Sequence, residues 1–98
     1  MNNIDTKHAV SSTILIDVRT VGEFNAGHLP DAINIDYQVI RENIENYYPD
    51  KSSPIKVYCR SGNRSGIAKA TLELMGYTNV ENIGGYEMLR HLPEYQKK

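Results

Sequence analysis

Short apolar runs alternate with amphipathic segments along the chain. Residues 14–18 form a nearly continuous run rich in β-branched side chains, which is typical of a strand covered on both faces in a parallel sheet. Thr20 and Glu23 have the spacing of a capping box, which predicts a short helix that continues to about Ala26. Turn-forming residues follow, and residues 33–35 predict a second short strand.

The middle of the chain contains an amphipathic segment and then a third apolar run. Apolar side chains recur at three- and four-residue intervals over residues 39–47, which predicts an amphipathic helix. Asp36 is placed to cap this helix, and Pro49 is expected to end it. After a polar loop, residues 55–58 predict a third strand.

The last third of the chain repeats the alternation. Residues 65–75 carry apolar side chains on more than one face, so they predict a largely buried helix that ends at Gly76. Residues 80–83 predict a fourth strand, which is expected to break at the pair Gly84 and Gly85. A last helix is expected over residues 86–92.

This alternation of strands and helices predicts an α/β domain with a mainly parallel sheet and right-handed crossovers. The 98 residues show no internal repeat and no composition shift that would mark a linker. A chain of this length is enough for one core. We therefore expect residues 1–98 to form one domain.

Composition and charge narrow the function classes. With 40% apolar residues and a formal net charge of -1, the chain has the composition of a globular protein with no general attraction to nucleic acid or to anionic lipid. The first residues lack the apolar run of a signal peptide, and no stretch has the length of a membrane span. The expected compartment is the cytoplasm, or the periplasm if a leader peptide was removed.

The single cysteine, Cys59, directly follows the third predicted strand. A lone cysteine forms no internal disulfide, so it is either a small buried hydrophobe or a reactive thiol. The segment after it contains Gly62 and leads into a helix, so several backbone N–H groups can converge on its sulfur. We favour the reactive thiol and predict Cys59 as the catalytic nucleophile, ionised and open to solvent. The predicted substrate-binding loop comprises Arg60, Ser61, Gly62, Asn63, Arg64 and Ser65.

Two arginines and four other polar residues have candidate roles around this loop. Arg64 is predicted to face the site from the start of the helix, whereas two orientations stay open for Arg60, into the site or outward toward an acidic donor or acceptor. Among the supporting residues, a strand-end ion pair and a capping box explain the charged side chains without acid–base catalysis, and the histidine is expected to support the loop. These supporting residues are Asp17, Arg19, Glu23 and His28.

No metal or cofactor is expected. The three histidines, at positions 8, 28 and 91, lack the spacing of metal ligands. The sequence contains no cofactor-binding motif.

An ordered set of short motifs resembles the rhodanese family, and in particular its small single-domain members of the phage-shock type. The resemblance covers nearly the whole chain, and the ordered set is more specific than any one of its pieces. These pieces are Asp17-Val18-Arg19 with Glu23, Gly27-His28-Leu29, Val57-Tyr58-Cys59-Arg60-Ser61-Gly62-Asn63-Arg64-Ser65, Gly76-Tyr77 and Gly84-Gly85.

The resemblance implies a rhodanese-like domain with about five parallel strands and helices on both faces of the sheet. It also implies a ping-pong sulfurtransferase, in which Cys59 takes a sulfane sulfur from thiosulfate or a similar donor as a persulfide. The acceptor would be cyanide or a thiol, with thioredoxin and glutathione as candidates. We expect a monomer.

Two positions depart from the family pattern, and two other functions remain open. Asp31 stands where the family usually has glycine, and Leu89 stands where many members have tryptophan. A Cys-based phosphatase or arsenate reductase would use a Cys-x5-Arg loop, whereas this loop is Cys-x4-Arg. A non-catalytic docking module of the same fold would usually lack the cysteine.

Overall fold

Four strands form one parallel sheet in the computed structural model, which describes residues 13–96. In chain order they are β1 (Ile14–Asp17), β2 (Ile33–Asn34), β3 (Ile55–Cys59) and β4 (Val80–Gly85). Their order across the sheet is β2-β1-β3-β4. The chain therefore leaves β1 toward one edge and then crosses back to build the other half of the sheet beside β1.

Helices connect and follow these strands, and the predicted α/β class is confirmed. Between β1 and β2 lies α1 (Val21–Ala26), and between β2 and β3 lies α2 (Ile40–Tyr47). The longest helix, α3 (Asn63–Leu74), joins β3 to β4, and the short α4 (Tyr86–Leu89) follows β4. A 3-10 turn occupies Pro93–Tyr95. Within residues 13–96, no helix combines the length and the apolar character needed to cross a bilayer.

The sheet separates two apolar clusters, because successive strand residues point to opposite faces. On one face, Val57 and Cys59 of β3 pack in a cluster that includes Ile44 of α2 and Leu72 of α3. On the other face, Tyr58 packs with two buried leucines, one of them Leu89 of α4. The sheet therefore carries helices on both faces, as predicted.

Strand number differs from the expectation of about five. Residues 13–96 hold four strands, and the additional edge strand implied by the resemblance would precede Ile14, which places it outside the described residues. The predicted capping box is confirmed, because the Thr20 side chain accepts from the Glu23 amide while the Glu23 carboxylate accepts from the Thr20 amide. The local signals around β1 therefore specified α1 correctly.

Two predicted boundaries and one predicted helix cap are wrong. β4 runs through Gly84 and Gly85 instead of breaking before them, because the ladder to β3 continues to Cys59 opposite Gly85. The helix predicted over residues 86–92 ends at Leu89. The Asp36 carboxylate accepts from the Gln38 amide and closes a turn before α2 instead of capping it.

Both departures from the family pattern have a structural account. Asp31 adopts φ +69°, a left-handed conformation that glycine takes most readily and that aspartate tolerates better than most residues. Leu89 is buried in the second apolar cluster. Its side chain therefore contributes to packing beneath α4.

Candidate active site

The site lies where the direction of the strand order reverses, at the carboxyl ends of β1 and β3. These two strands are neighbours, with Asp17 opposite Tyr58, and the chain leaves them toward opposite edges of the sheet. Such a reversal opens a crevice between the loops that follow the two strands. Here Arg19 after β1 and Arg60 after β3 both line a pocket of about 350 Å³.

The cysteine loop folds its backbone around the Cys59 sulfur. The Gly62 amide donates to Sγ at 3.0 Å, and the Ser65 hydroxyl lies 3.4 Å from the same sulfur. Gly62 precedes α3 with φ +103°, a conformation that suits glycine because it has no Cβ. The sulfur therefore faces unpaired backbone dipoles at the start of α3, where an anion is stabilised.

The thiol is shifted toward its ionised form. Burial by itself raises the pKa of Cys59, but hydrogen bonds from the Ser65 hydroxyl and from the amides of Ser65, Gly62 and Ser61 lower it by more. The net pKa lies below the ordinary thiol value. A lowered thiol pKa increases the thiolate fraction at neutral pH, and the thiolate is the nucleophilic species.

Burial of Cys59 differs from the expectation of an open thiol. The residue exposes 1% of its surface and belongs to the apolar cluster between the sheet and α3. The expectation that its sulfur faces the loop amides agrees with the contact to Gly62. Cys59 therefore combines a position in this apolar cluster with a sulfur that contacts the loop.

Asn82 of β4 ties the loop to the sheet, and no local motif pointed to it. Its Nδ2 donates to the Gly62 carbonyl at 3.1 Å, its Oδ1 accepts from the Gly84 amide at 3.1 Å, and the same Oδ1 lies 2.7 Å from the Ser65 hydroxyl oxygen. The only available signal was an amide side chain in a strand beside two glycines. Asn82 thus contacts both groups that lie against the Cys59 sulfur, the Gly62 backbone and the Ser65 hydroxyl.

The glycine after Gly84 also permits this arrangement. A Cβ built on Gly85 would lie 2.5 Å from the Arg60 carbonyl oxygen and 3.0 Å from the Ser61 Cα atom. These neighbours are backbone atoms, which cannot move aside as the end of a flexible side chain can, so a larger residue at position 85 would displace the loop. The β4 glycine that was predicted to break the strand therefore lets the cysteine loop lie against it.

Ser65 is expected to control the pKa of Cys59. Ser65→Ala removes a hydroxyl donor from the thiolate, so the pKa of Cys59 should rise and its alkylation at pH 7 should slow by about three- to tenfold. The measurement is the alkylation rate as a function of pH. Ser61→Ala is the matched control, because it keeps the backbone amide that contacts the sulfur. An alkylation profile that moves equally in both variants would contradict this role.

Arg64, which is predicted to face the site, is held by an ion pair with α1 instead. Arg64 donates from Nη1 and Nη2 to the two carboxylate oxygens of Glu23 at 2.9 and 3.0 Å. This pair links α3 to α1 across the crevice. Arg60, whose orientation the sequence leaves open, lines the pocket beside the loop. Arg64 therefore positions the loop and acts on Cys59 through its charge, whereas Arg60 offers a guanidinium to the pocket.

The Glu23–Arg64 pair should make the free energy of unfolding depend on pH in the acid range. Hydrogen bonds from Arg64 lower the pKa of Glu23 from 4.5 to about 2. A depressed folded-state pKa adds stability above the unfolded value, and this stability is lost as the pH falls from about 5 to about 2. Glu23→Gln keeps a capping side chain but removes the charge, so it should lower the free energy of unfolding by about 1–2 kcal/mol at pH 6.

Urea unfolding at several pH values checks this expectation. The difference between wild type and Glu23→Gln should shrink toward zero as the pH approaches 2. The control is Glu42→Gln, because Glu42 lies exposed on α2 and forms no ion pair within residues 13–96. A constant difference across the acid range would contradict the assignment.

Asp17 and Arg19 form the strand-end ion pair that the sequence indicated. Arg19 Nε and Nη2 donate to the Asp17 carboxylate at 2.9 and 2.6 Å, and Nη2 also donates to the Gly27 carbonyl at 2.7 Å. The two side chains are 0% and 6% exposed. The Arg19 guanidinium also lies over the Tyr86 ring, 4.4 Å from its centroid. The pair therefore joins β1 to the loop after α1 and to α4.

His28 does not support the cysteine loop as predicted. Its Nδ1 lies 2.8 Å from the Phe24 carbonyl, and its ring stacks on the Phe24 ring at 3.6 Å. The side chain is therefore part of the end of α1. Among residues 13–96, no group of three or more His, Cys, Asp or Glu side chains is placed to hold a metal ion.

The fold and the loop define an α/β domain that presents one thiolate-stabilising loop at the end of its third strand. Residues 1–90 match the family model of the rhodanese-like domain. The chain belongs to the rhodanese-like family.

Similar proteins include several sulfurtransferases. Thiosulfate sulfurtransferase PspE of Escherichia coli is 47% identical over 70 residues, which are 71% of this chain and 67% of that protein. Thiosulfate sulfurtransferase GlpE of Pseudomonas syringae is 36% identical over 78 residues, 79% of this chain and 72% of that protein. The match to adenylyltransferase and sulfurtransferase UBA4 of Candida albicans is 45% identical but covers 18% of that longer protein.

Solved structures agree with this family. A structure described as a rhodanese with anions from E. coli superposes with a TM-score of 0.74 at 44% identity, covering 76% of this chain and 88% of that one. The likeness therefore extends from the sequence motifs to the arrangement of the sheet and helices.

Proposed function

We propose that this chain is a thiosulfate sulfurtransferase that carries a sulfane sulfur as a persulfide on Cys59. One observation carries the proposal: the Cys59 sulfur lies 3.0 Å from the Gly62 amide at the start of α3. That geometry suits a thiolate and equally suits the negative sulfur of a persulfide. The sulfurtransferase relatives support the same reaction class.

The first half-reaction transfers sulfur from donor to enzyme. The Cys59 thiolate attacks the outer sulfur of thiosulfate and forms a new S–S bond. The S–S bond of thiosulfate breaks, and its electron pair leaves with sulfite. The charge carried by Arg60 in the adjoining pocket attracts the dianionic donor, and the loop amides hold the terminal sulfur that remains.

The second half-reaction returns the enzyme to its starting state. The acceptor, cyanide or a thiolate, attacks the outer sulfur of the Cys59 persulfide. The persulfide bond breaks, its electron pair returns to the Cys59 sulfur, and the product is thiocyanate or an acceptor persulfide. This chemistry needs no general base, since backbone dipoles and the Ser65 hydroxyl already favour the thiolate.

The geometry fits a phosphatase or an arsenate reductase less well. Such enzymes cradle a tetrahedral oxyanion, which requires a loop with room for its oxygens and free donors around it. The Cys-x4-Arg loop is one residue shorter than the Cys-x5-Arg form, and its Arg64 is occupied by both oxygens of Glu23. A cysteine that exposes 1% of its surface is better suited to a single terminal sulfur.

Intact mass after incubation with thiosulfate tests the proposal. We expect the mass of one added sulfur atom, removed by a reductant, and the adduct must lie on Cys59 because the chain has one cysteine. Hydrolysis of an aryl phosphate without sulfur uptake would contradict the proposal and favour a phosphatase. Absence of both activities would favour a docking module. Loss of the adduct on addition of cyanide, glutathione or thioredoxin then ranks the acceptors.

A further inference from the structure

A pocket of about 350 Å³ adjoins the cysteine loop without including Cys59 in its wall. It is lined by Arg60, which follows Cys59, and by Tyr86, which follows the strand partner of Cys59. Arg19 and Arg90 contribute two more guanidinium groups to the wall. The transferred sulfur needs only the loop, so this neighbouring space is available to the rest of a substrate.

The pocket wall has a surplus of positive charge. Its two carboxylates already have arginine partners, since Glu23 pairs with Arg64, and Glu87 pairs with Arg90 at 3.4 Å. Arg60 forms no ion pair with any other residue in the range 13–96. The wall therefore offers one uncompensated guanidinium, which is matched by a single negative charge.

Arg19 adds a directional donor from within the fold. Its side chain is 6% exposed, and its Nε and Nη2 are occupied by Asp17 and the Gly27 carbonyl. Within the described part of the chain, no hydrogen bond uses its Nη1. A guanidinium of this kind, held in place by a buried carboxylate and by the Tyr86 ring, is preorganised to receive an oxygen anion.

We propose that this pocket binds the carboxylate of a low-molecular-weight acceptor thiol, held by Arg60 and Arg19 Nη1 with Arg90 at the rim. The inference rests on the proposed function and names the acceptor class of the same site. The acceptor thiolate attacks the outer sulfur of the Cys59 persulfide, whose S–S bond breaks toward Cys59. The product is the persulfide of the carboxylate-bearing thiol, and charge is conserved because one thiolate is consumed and one is regenerated.

The test compares two acceptors that differ in one group. Thiosulfate-loaded protein is discharged with 3-mercaptopropionate or with its amide, 3-mercaptopropanamide, at equal thiolate concentrations. We expect the carboxylate to react about tenfold faster in the wild type, as for a charge-assisted hydrogen bond in a partly exposed site. Arg60→Gln should reduce this preference to less than about twofold, and Arg90→Gln should reduce it by about threefold.

Arg41→Gln is the matched control, because Arg41 lies exposed on α2, outside the pocket wall, and its loss changes the net charge equally. Equal discharge by acid and amide in the wild type would overturn the inference and leave the proposed function intact. The same holds if Arg41→Gln lowers the preference as much as Arg90→Gln does.

A binding measurement separates the two proposals. The thioether 3-(methylthio)propionate cannot accept sulfur, so its titration into ¹⁵N-labelled protein reports on the pocket alone. We expect shifts of the Gly27, Arg60 and Tyr86 amide signals, with affinity weakened about threefold by Arg90→Gln. If Cys59 takes up no sulfur, the proposed function fails, but these shifts still show whether the pocket binds a carboxylate. Absence of these shifts would overturn the inference that the pocket binds a carboxylate.

Discussion

Cys59→Ser is expected to abolish the reducible sulfur adduct and to lower thiosulfate-dependent transfer by about 10³-fold or more, as for loss of other catalytic nucleophiles. The Gly62 amide that favours a thiolate cannot ionise a serine hydroxyl at neutral pH, because an alcohol is a far weaker acid than a thiol. Intact mass and initial rates of thiocyanate formation measure the two effects.

The fold of this variant should be unchanged, since serine is close to cysteine in volume and the loop hydrogen bonds remain available. Cys59→Ala is the companion variant, and both should give the wild-type circular dichroism spectrum. A Cys59→Ser protein that still takes up a reducible sulfur would remove Cys59 from the mechanism.

Arg19→Met should lower the free energy of unfolding by about 3–5 kcal/mol, the usual result of removing one partner from a buried ion pair. Methionine keeps much of the side-chain volume but leaves the Asp17 carboxylate, which is 0% exposed, without its cation. The Gly27 carbonyl also loses the donor that joins it to β1. Urea unfolding monitored by circular dichroism measures the change.

A second substitution separates the lost charge from lost packing. Adding Asp17→Asn to Arg19→Met removes the uncompensated carboxylate, so the double variant should be more stable than Arg19→Met by about 1–2 kcal/mol. Additive losses would mean that packing of Arg19 against Tyr58 and Tyr86, and not its charge, stabilises this end of the sheet.

Local sequence signals were reliable at two places where a structure depends on neighbours a few residues apart. The Thr20–Glu23 capping box and the turn into α3 at Gly62 both involve hydrogen bonds over three residues. Glycine signals were less reliable at Gly84 and Gly85, because a glycine in a strand can mark either a break or a close backbone approach. The Arg60 backbone, which approaches Gly85 from another loop, decided between the two.

The sequence by itself therefore determined the α/β class, the strand that ends at Cys59 and the loop whose amides contact the Cys59 sulfur. Each of these follows from short-range periodicity or from adjacent turn residues. Only the tertiary structure paired Arg64 with Glu23, brought Asn82 to Ser65 and gathered three arginines around the pocket. Those contacts depend on the order β2-β1-β3-β4, and strand order depends on packing between distant segments, about which local periodicity carries no information.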